Sequence, residues 1–293
     1  MGLVGILIDV VGPVFLLAAI GYVWARRGTS FDAAFVAVLV NNLGTPALIL
    51  DSLLNSRLEL AVLGQMAGGA AISMGLAMAL GWLFVRAQGL PTATYLPVLV
   101  WSNGGNMGLP LMLFAFGERG LALAIAWFSL SAISNYTVGQ AIAAGGLSLR
   151  DIVKMPIMWA LAVVLLTMGT GVQPPSIFLR SVHLLAGVSV PLMLLSLGHS
   201  LAKLHVAALP RSVLFSCARL FGGFAIGWGV ATLLGLQGVE RGVLVTQSAM
   251  PSAVLNYLFA SRYGNQAENV AGIVVVSTLM SVVLLPLFLM SVM

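Results

Sequence analysis

Charge is what this chain has least of. A soluble protein of this length carries about 25% ionisable side chains, roughly 73 of them. Here 13 Lys+Arg and 8 Asp+Glu amount to 7% of 293 residues. Hydrophobic residues reach 60%, and the mean hydropathy is +1.08. A water-soluble globule cannot clothe its surface with so few polar groups, which excludes a soluble enzyme. A disordered chain needs the opposite composition. The net charge of +5 does not make a nucleic-acid binder, because the basic residues stand singly and form no stripe. Cysteine is nearly missing too: Cys217 alone rules out an intramolecular disulfide and a cysteine metal cluster. His183 and His199 have no metal-ligand spacing around them. Also missing are G-x-S-x-G, H-E-x-x-H and a P-loop lysine. Asp9 and Asp51 both lie too near one face to pair as an intramembrane aspartyl protease. An integral membrane protein without enzymatic activity or a resident cofactor remains.

What is present is long apolar sequence. The charges cut the chain into ten charge-free windows, at 10–25, 33–50, 60–85, 87–117, 120–149, 155–179, 181–202, 220–239, 242–261 and 269–293. A helix crosses roughly 30 Å of hydrocarbon with about 20 residues, so the windows predict ten transmembrane helices in an all-α bundle. The loops left over are too short for a soluble domain. Continuous rather than alternating apolar character argues against a β-barrel. The start, Met1-Gly2-Leu3-Val4-Gly5-Ile6, has no basic n-region and reads as part of a retained first helix. Ile6 also argues against a myristoylation signal.

Basic residues give the orientation. Arg26, Arg27, Arg86, Arg150, Lys154, Lys203, Arg211 and Arg262 fall in one set of alternate loops, and Arg57, Arg119, Arg180 and Arg241 in the other. That asymmetry predicts both termini outside the cytoplasm.

The two halves carry related interruptions. Gly104 and Pro251, and the glycines Gly117 and Gly264, match at an offset of 147, and Pro46 and Pro191 lie nearly as far apart. With five helices per half the second copy must enter from the opposite side. The expectation is two inverted five-helix repeats, 1–147 and 148–293, an arrangement typical of secondary transporters.

Asn103-Gly104-Gly105-Asn106 lies in the middle of the fourth predicted span, where two glycines and two amides disfavour a continuous helix. Pro251, beside Ser252, breaks the ninth at the corresponding place. Unwound backbone at that depth survives where it lines a cavity. Half-helix N-termini meeting there would offer N–H groups and positive dipole ends to an anion, with the asparagine amides adding orientable donors. The alternative is that Gly and Pro merely permit close helix packing. Asn135 and Gln140 flank Tyr136 in the fifth span; Gln247, Ser248 and Asn256 lie in the ninth; Asn41 and Asn42 precede Pro46. Each is either site-lining or an interhelical hydrogen-bonding residue. Arg219, about eight residues into the eighth span, either counters a substrate carboxylate or snorkels to the surface. Asp51 and Asp9 are either coupling carboxylates or interfacial ones.

These segments together resemble one family. Asn41…Pro46, Ser102-Asn103-Gly104-Gly105-Asn106-Met107-Gly108-Leu109-Pro110, Phe116-Gly117-Glu118 and Met250-Pro251-Ser252-Ala253 with Ser281…Leu285-Pro286 look like the auxin efflux carrier family. Its bacterial branch includes malate and malonate permease-like proteins. The resemblance implies that broken helices 4 and 9 cross at the midplane, with Asn103, Gly104, Gly105 and Asn106 opposite Pro251 and Ser252 at the substrate site. It implies a scaffold of helices 1, 2, 6 and 7, a mobile transport domain of helices 3–5 and 8–10, and a homodimer paired through the scaffold. The short Gly145–Asp151 connection fits a bacterial member in the inner (plasma) membrane. Sodium/bile-acid symporters share the fold and place a glutamate where this chain has Gln247, which weakens a sodium site. Coupling to a proton or to sodium therefore stays open.

The expected function is secondary transport of a small organic anion, a carboxylate, by alternating access. An anion channel or a non-transporting membrane sensor of the same fold is the alternative.

Overall fold

The computed structural model describes residues 5–56, 58–146 and 154–293. Residues 1–4, Arg57, Arg150 and most of the 145–151 connection lie outside the described residues. In chain order the helices are α1 (Ile8–Arg26), α2 (Phe35–Asn55), α3 (Leu60–Ala87), α4 (Thr92–Val100), α5 (Gly104–Ala144), α6 (Pro156–Thr170), α7 (Ser176–Lys203), α8 (Leu209–Leu233), α9 (Gly238–Ser248), α10 (Val254–Tyr263) and α11 (Ala267–Val292).

Seven of these, α1, α2, α3, α5, α7, α8 and α11, are long and apolar enough to cross a membrane. The expectation of ten spanning helices in two inverted five-helix repeats, with broken helices 4 and 9 crossing at the midplane, is thereby corrected to seven long apolar helices. The physical reason is that spacing between charges does not measure helix length. Gly117 (φ 64°, ψ −159°) leaves the helical conformation beside Glu118-Arg119, so the 41-residue apolar run Gly104–Ala144 is two helical stretches joined at a kink and takes in parts of two windows. The breaks shorten others: α4 keeps 9 residues, α9 11 and α10 10, while α6 has 15.

Local chemistry explains several boundaries. Asp32 caps the start of the second span, its carboxylate accepting from the Phe35 N–H at 2.9 Å. Pro46 has no N–H to continue the ladder, and a wider helical turn at Val40–Gly44 absorbs it. α6 and α10 end on Gly171 (φ 72°) and Gly264 (φ 72°), in the left-handed conformation that terminates helices.

The helices pack as two groups. α7 lies along α1 and α2, and α6 packs on α2. In the other group α8 packs on α3, α9 and α11, α3 on α4 and α5, and α5 on α9. The α1–α7 seam is close because side chains are missing from it: a Cβ at Gly21 would fall on the Leu195 carbonyl, and one at Gly198 on the Ala18 carbonyl. Outward faces are apolar. Ile177 is 77% exposed, Leu233 76% and Leu184 73%, a surface suited to lipid and not to water. The chain is an integral membrane protein with several transmembrane helices.

Candidate functional site

The two interruptions lie against each other. α4 stops at Val100 because Trp101 turns extended (φ −93°, ψ 110°), and α9 stops at Ser248, two residues before Met250-Pro251. Ser102 and Ser252 form an antiparallel bridge. Asn103 N–H donates to the Pro251 carbonyl at 2.7 Å, and Ala253 N–H to the Trp101 carbonyl at 3.2 Å. Each break thus supplies the hydrogen bonds that the other lost on leaving the helix, as buried backbone requires. Side chains complete the knot. Asn256 donates through Nδ2 to the Trp101 carbonyl (2.9 Å) and to Ser252 Oγ (3.0 Å). Ser102 Oγ donates to the Gln247 carbonyl, and Ser252 N–H to Ser277 Oγ.

Downstream of the breaks the helices restart, α5 at Gly104 and α10 at Val254, and their first turns have N–H groups with no intrahelical acceptor. Both starts open on one cavity of about 170 Å³, whose wall includes Asn103, Gly105 and Asn106 from one side and Ala253, Val254 and Leu255 from the other. Asn41 and Thr45 of α2, Asn135 and Ser131 of α5, and Ser196 and Ser200 of α7 add polar groups. No ionisable carboxylate, amine, guanidinium or imidazole lines it among the described residues. Asn103 Nδ2 and Asn135 Oδ1 are buried without a protein partner, the latter packed against Gly139. A second cavity of about 410 Å³ adjoins it, sharing Asn41, Thr45, Phe128, Ala132 and Tyr136 in its wall. Its other lining residues include Asn42, Gln140, Lys154 and Arg262, and no acidic residue among the described residues. Gly105 lies under the Phe128 ring, where a Cβ would collide, and that ring lines both spaces.

Behind the breaks sits Arg219, 3% exposed. Its Nη1 donates to the Leu99 carbonyl at 3.0 Å and its Nη2 to the Ser248 carbonyl at 2.7 Å. Those carbonyls close α4 and α9. α8 comes near enough to permit this because residue 223 is glycine: a Cβ there would fall on the Ser248 carbonyl oxygen. Arg219 lines neither of the two cavities.

Comparison with known proteins agrees with this architecture. The family described as membrane transport protein matches residues 142–289, just over half of the chain. The chain belongs to that family. The match takes in Arg219, Gln247 and Pro251 and begins after Asn103. An uncharacterized transporter of Methanocaldococcus jannaschii is 29% identical over 202 residues, 65% of this chain and 65% of that protein. One of Methanothermobacter thermautotrophicus is 26% identical over 294 residues, covering 96% of each. A probable auxin efflux carrier component 5b of rice, Oryza sativa, is 32% identical over 113 residues, 38% of this chain and 31% of that one. The assignment is to membrane transport proteins and not to a family of enzymes.

In this transporter the residues singled out from sequence separate into distinct places. Asn103, Gly105, Asn106 and Asn135 line the first cavity, and Asn42 lines the second. Gly104, Pro251, Ser252 and Asn256 form the knot behind the wall. Gln247 is fully buried, its Nε2 3.5 Å from the Gly104 carbonyl, packed where Gly104 and Gly108 have no side chain. Asp51 lies apart from both cavities, its carboxylate accepting from Asn55 Nδ2 and 3.1 Å from His183 Nδ1. Asp9 lines neither cavity. Sequence reasoning missed Thr45, Ser131, Ser196 and Ser200 as wall residues, and Lys154 and Arg262 as cavity cations. One signal was available: Met193, Ser196 and Ser200 recur at helical spacing on one face of α7.

Proposed function

We propose that this membrane transport protein is a secondary transporter of a small organic anion, a carboxylate, held where the two breaks meet. One observation carries the reading: two helix N-termini open into the same cavity, and no acidic residue lines it among the described residues. Each N-terminus carries about half a positive elementary charge together with its unpaired N–H groups. The amides of Asn103 and Asn135, each with one atom lacking a protein partner, add donor and acceptor groups to the wall. Lys154 and Arg262 in the adjoining cavity give the approach the same sign. A cavity of about 170 Å³ is below the size that holds drug-like ligands and suits a small acid.

The packing supports alternating access. The breaks belong to the group built on α3, α5, α8 and α11, while Thr45, Ser196 and Ser200 face the cavity from the α1, α2, α6 and α7 group. Movement of the first group against the second, as transport domain against scaffold, would carry the ligand past Thr45, Ser196 and Ser200. The remaining parts of the proposal rest on the family resemblance and charge placement: a malate- or malonate-like substrate, a homodimer through α1, α2, α6 and α7, a bacterial inner membrane, and termini outside.

The test is uptake of labelled malate, malonate and indole-type acids by proteoliposomes. Removing one amide that bonds a charged ligand costs about 1.5–3 kcal/mol, or at least about tenfold. Asn103→Ala and Asn135→Ala are each expected to lower uptake at subsaturating substrate by at least that factor. Wild-type rates in Asn103→Ala and Pro251→Ala together would sink the assignment. Flux that never saturates would instead indicate a channel.

A further inference from the structure

The charge on Arg219 has no carboxylate beside it. Among the described residues it forms no ion pair, and the side chains around it, Ser73, Met74, Ala77, Trp127 and Ile226, are neutral. An unpaired guanidinium buried in a dry interior is costly, so something else must balance it. The structure shows what does. Its two terminal nitrogens each donate to a carbonyl at the C-terminal end of a different broken helix, Leu99 of α4 and Ser248 of α9. A helix C-terminus carries about half a negative elementary charge. Two of them sum to about −1, which one guanidinium cancels.

The opposite ends matter more for the ligand. Without Arg219, two C-termini (about −1) and two N-termini (about +1) would lie within a few residues of each other, and their fields would largely oppose at the cavity. The extended stretch Trp101–Asn103 separates the α4 end from the α5 start by about 10 Å, at roughly 3.3 Å per residue. With Arg219 present, only the N-termini at Gly104 and Val254 remain uncompensated, and both face the cavity.

We propose that Arg219 determines the charge preference of the cavity from behind it, by cancelling the C-terminal ends of α4 and α9 so that the site reads as positive without any charged residue in its wall. It is a positioning and selectivity residue and does not touch the ligand. The inference rests on the proposed anion site. At an effective dielectric of about 20 and about 10 Å, one elementary charge changes the binding of an anion about ten- to twentyfold, and leaves that of a neutral isostere nearly unchanged.

The experiment measures matched pairs on the full-length purified protein: malonate against malonamide, and indole-3-acetate against indole-3-acetamide. The quantity read is the ratio of dissociation constants, amide over acid. A ratio near one in the wild type defeats the anion site itself, and with it this inference. If the wild type prefers the acid, Arg219→Met is expected to lower the ratio about tenfold while amide binding stays within about twofold. Arg219→Lys keeps the charge and is expected to keep the ratio within about threefold. A merely structural role would weaken acid and amide alike and leave the ratio where it was. Should Arg219→Met not fold, Arg219→Gln, neutral but still able to donate to one carbonyl, reads the same ratio. A neutral variant with the wild-type ratio, or a lysine variant that loses it, overturns the proposal.

Discussion

An amide group inside an apolar wall is costly unless something bonds to it, and Asn103 and Asn135 each leave one such atom free beside the same cavity. Their choice as candidates was legible in the sequence, because asparagine in a long apolar window needs a partner, whether a ligand or a neighbouring helix. The roles of Asn256 and Arg219 were not legible. Asn256 bonds Trp101, 155 positions away, and Arg219 bonds Leu99, 120 positions away; a single sequence does not reveal such partners. The hydroxyls of Ser196 and Ser200 give only a weak signal, since serine in a helix ordinarily bonds its own preceding turn. Asn256→Ala should therefore act on the knot and not on the ligand. It removes two donated bonds, costing about 1–3 kcal/mol of stability, and a fall in melting temperature with an unchanged acid-over-amide preference is the expected result.

At the scale of helices, the breaks were readable from Gly-Gly and Met-Pro, whereas helix length was not. Spacing between charges treated 87–117 and 242–261 as whole spans, yet the first contains the 9-residue α4 and the start of α5, and the second divides between α9 and α10. Beside Glu118-Arg119 the run does break its helical geometry, at Gly117 (φ 64°, ψ −159°), yet the two stretches stay joined in one apolar run. The α1–α7 seam had a signal in its glycines, but which helix each glycine meets depends on the fold. Gly198→Val would push a branched side chain into the Ala18 carbonyl. Overpacking of this kind costs about 1–3 kcal/mol or more, so a lower melting temperature in detergent is predicted, with Gly187→Val as the comparison because a Cβ there meets nothing.

For the whole molecule, the scarcity of charge makes the position of each cation informative. Lys154 and Arg262 line the second of the two cavities, and exposed charges of this kind act mainly on approach rates and are screened by salt. Lys154→Gln combined with Arg262→Gln is expected to raise the apparent KM about three- to tenfold at low ionic strength, with the difference shrinking at high salt. The central claim is that the paired breaks hold a small carboxylate which the protein carries across by alternating access. Counterflow tests it most directly: proteoliposomes preloaded with unlabelled malonate take up labelled malonate from outside. The account predicts saturable uptake, faster with preloading than without, and lowered at least about tenfold by Asn103→Ala. Uptake that is linear in concentration, indifferent to preloading and equal in the Asn103→Ala protein would contradict it.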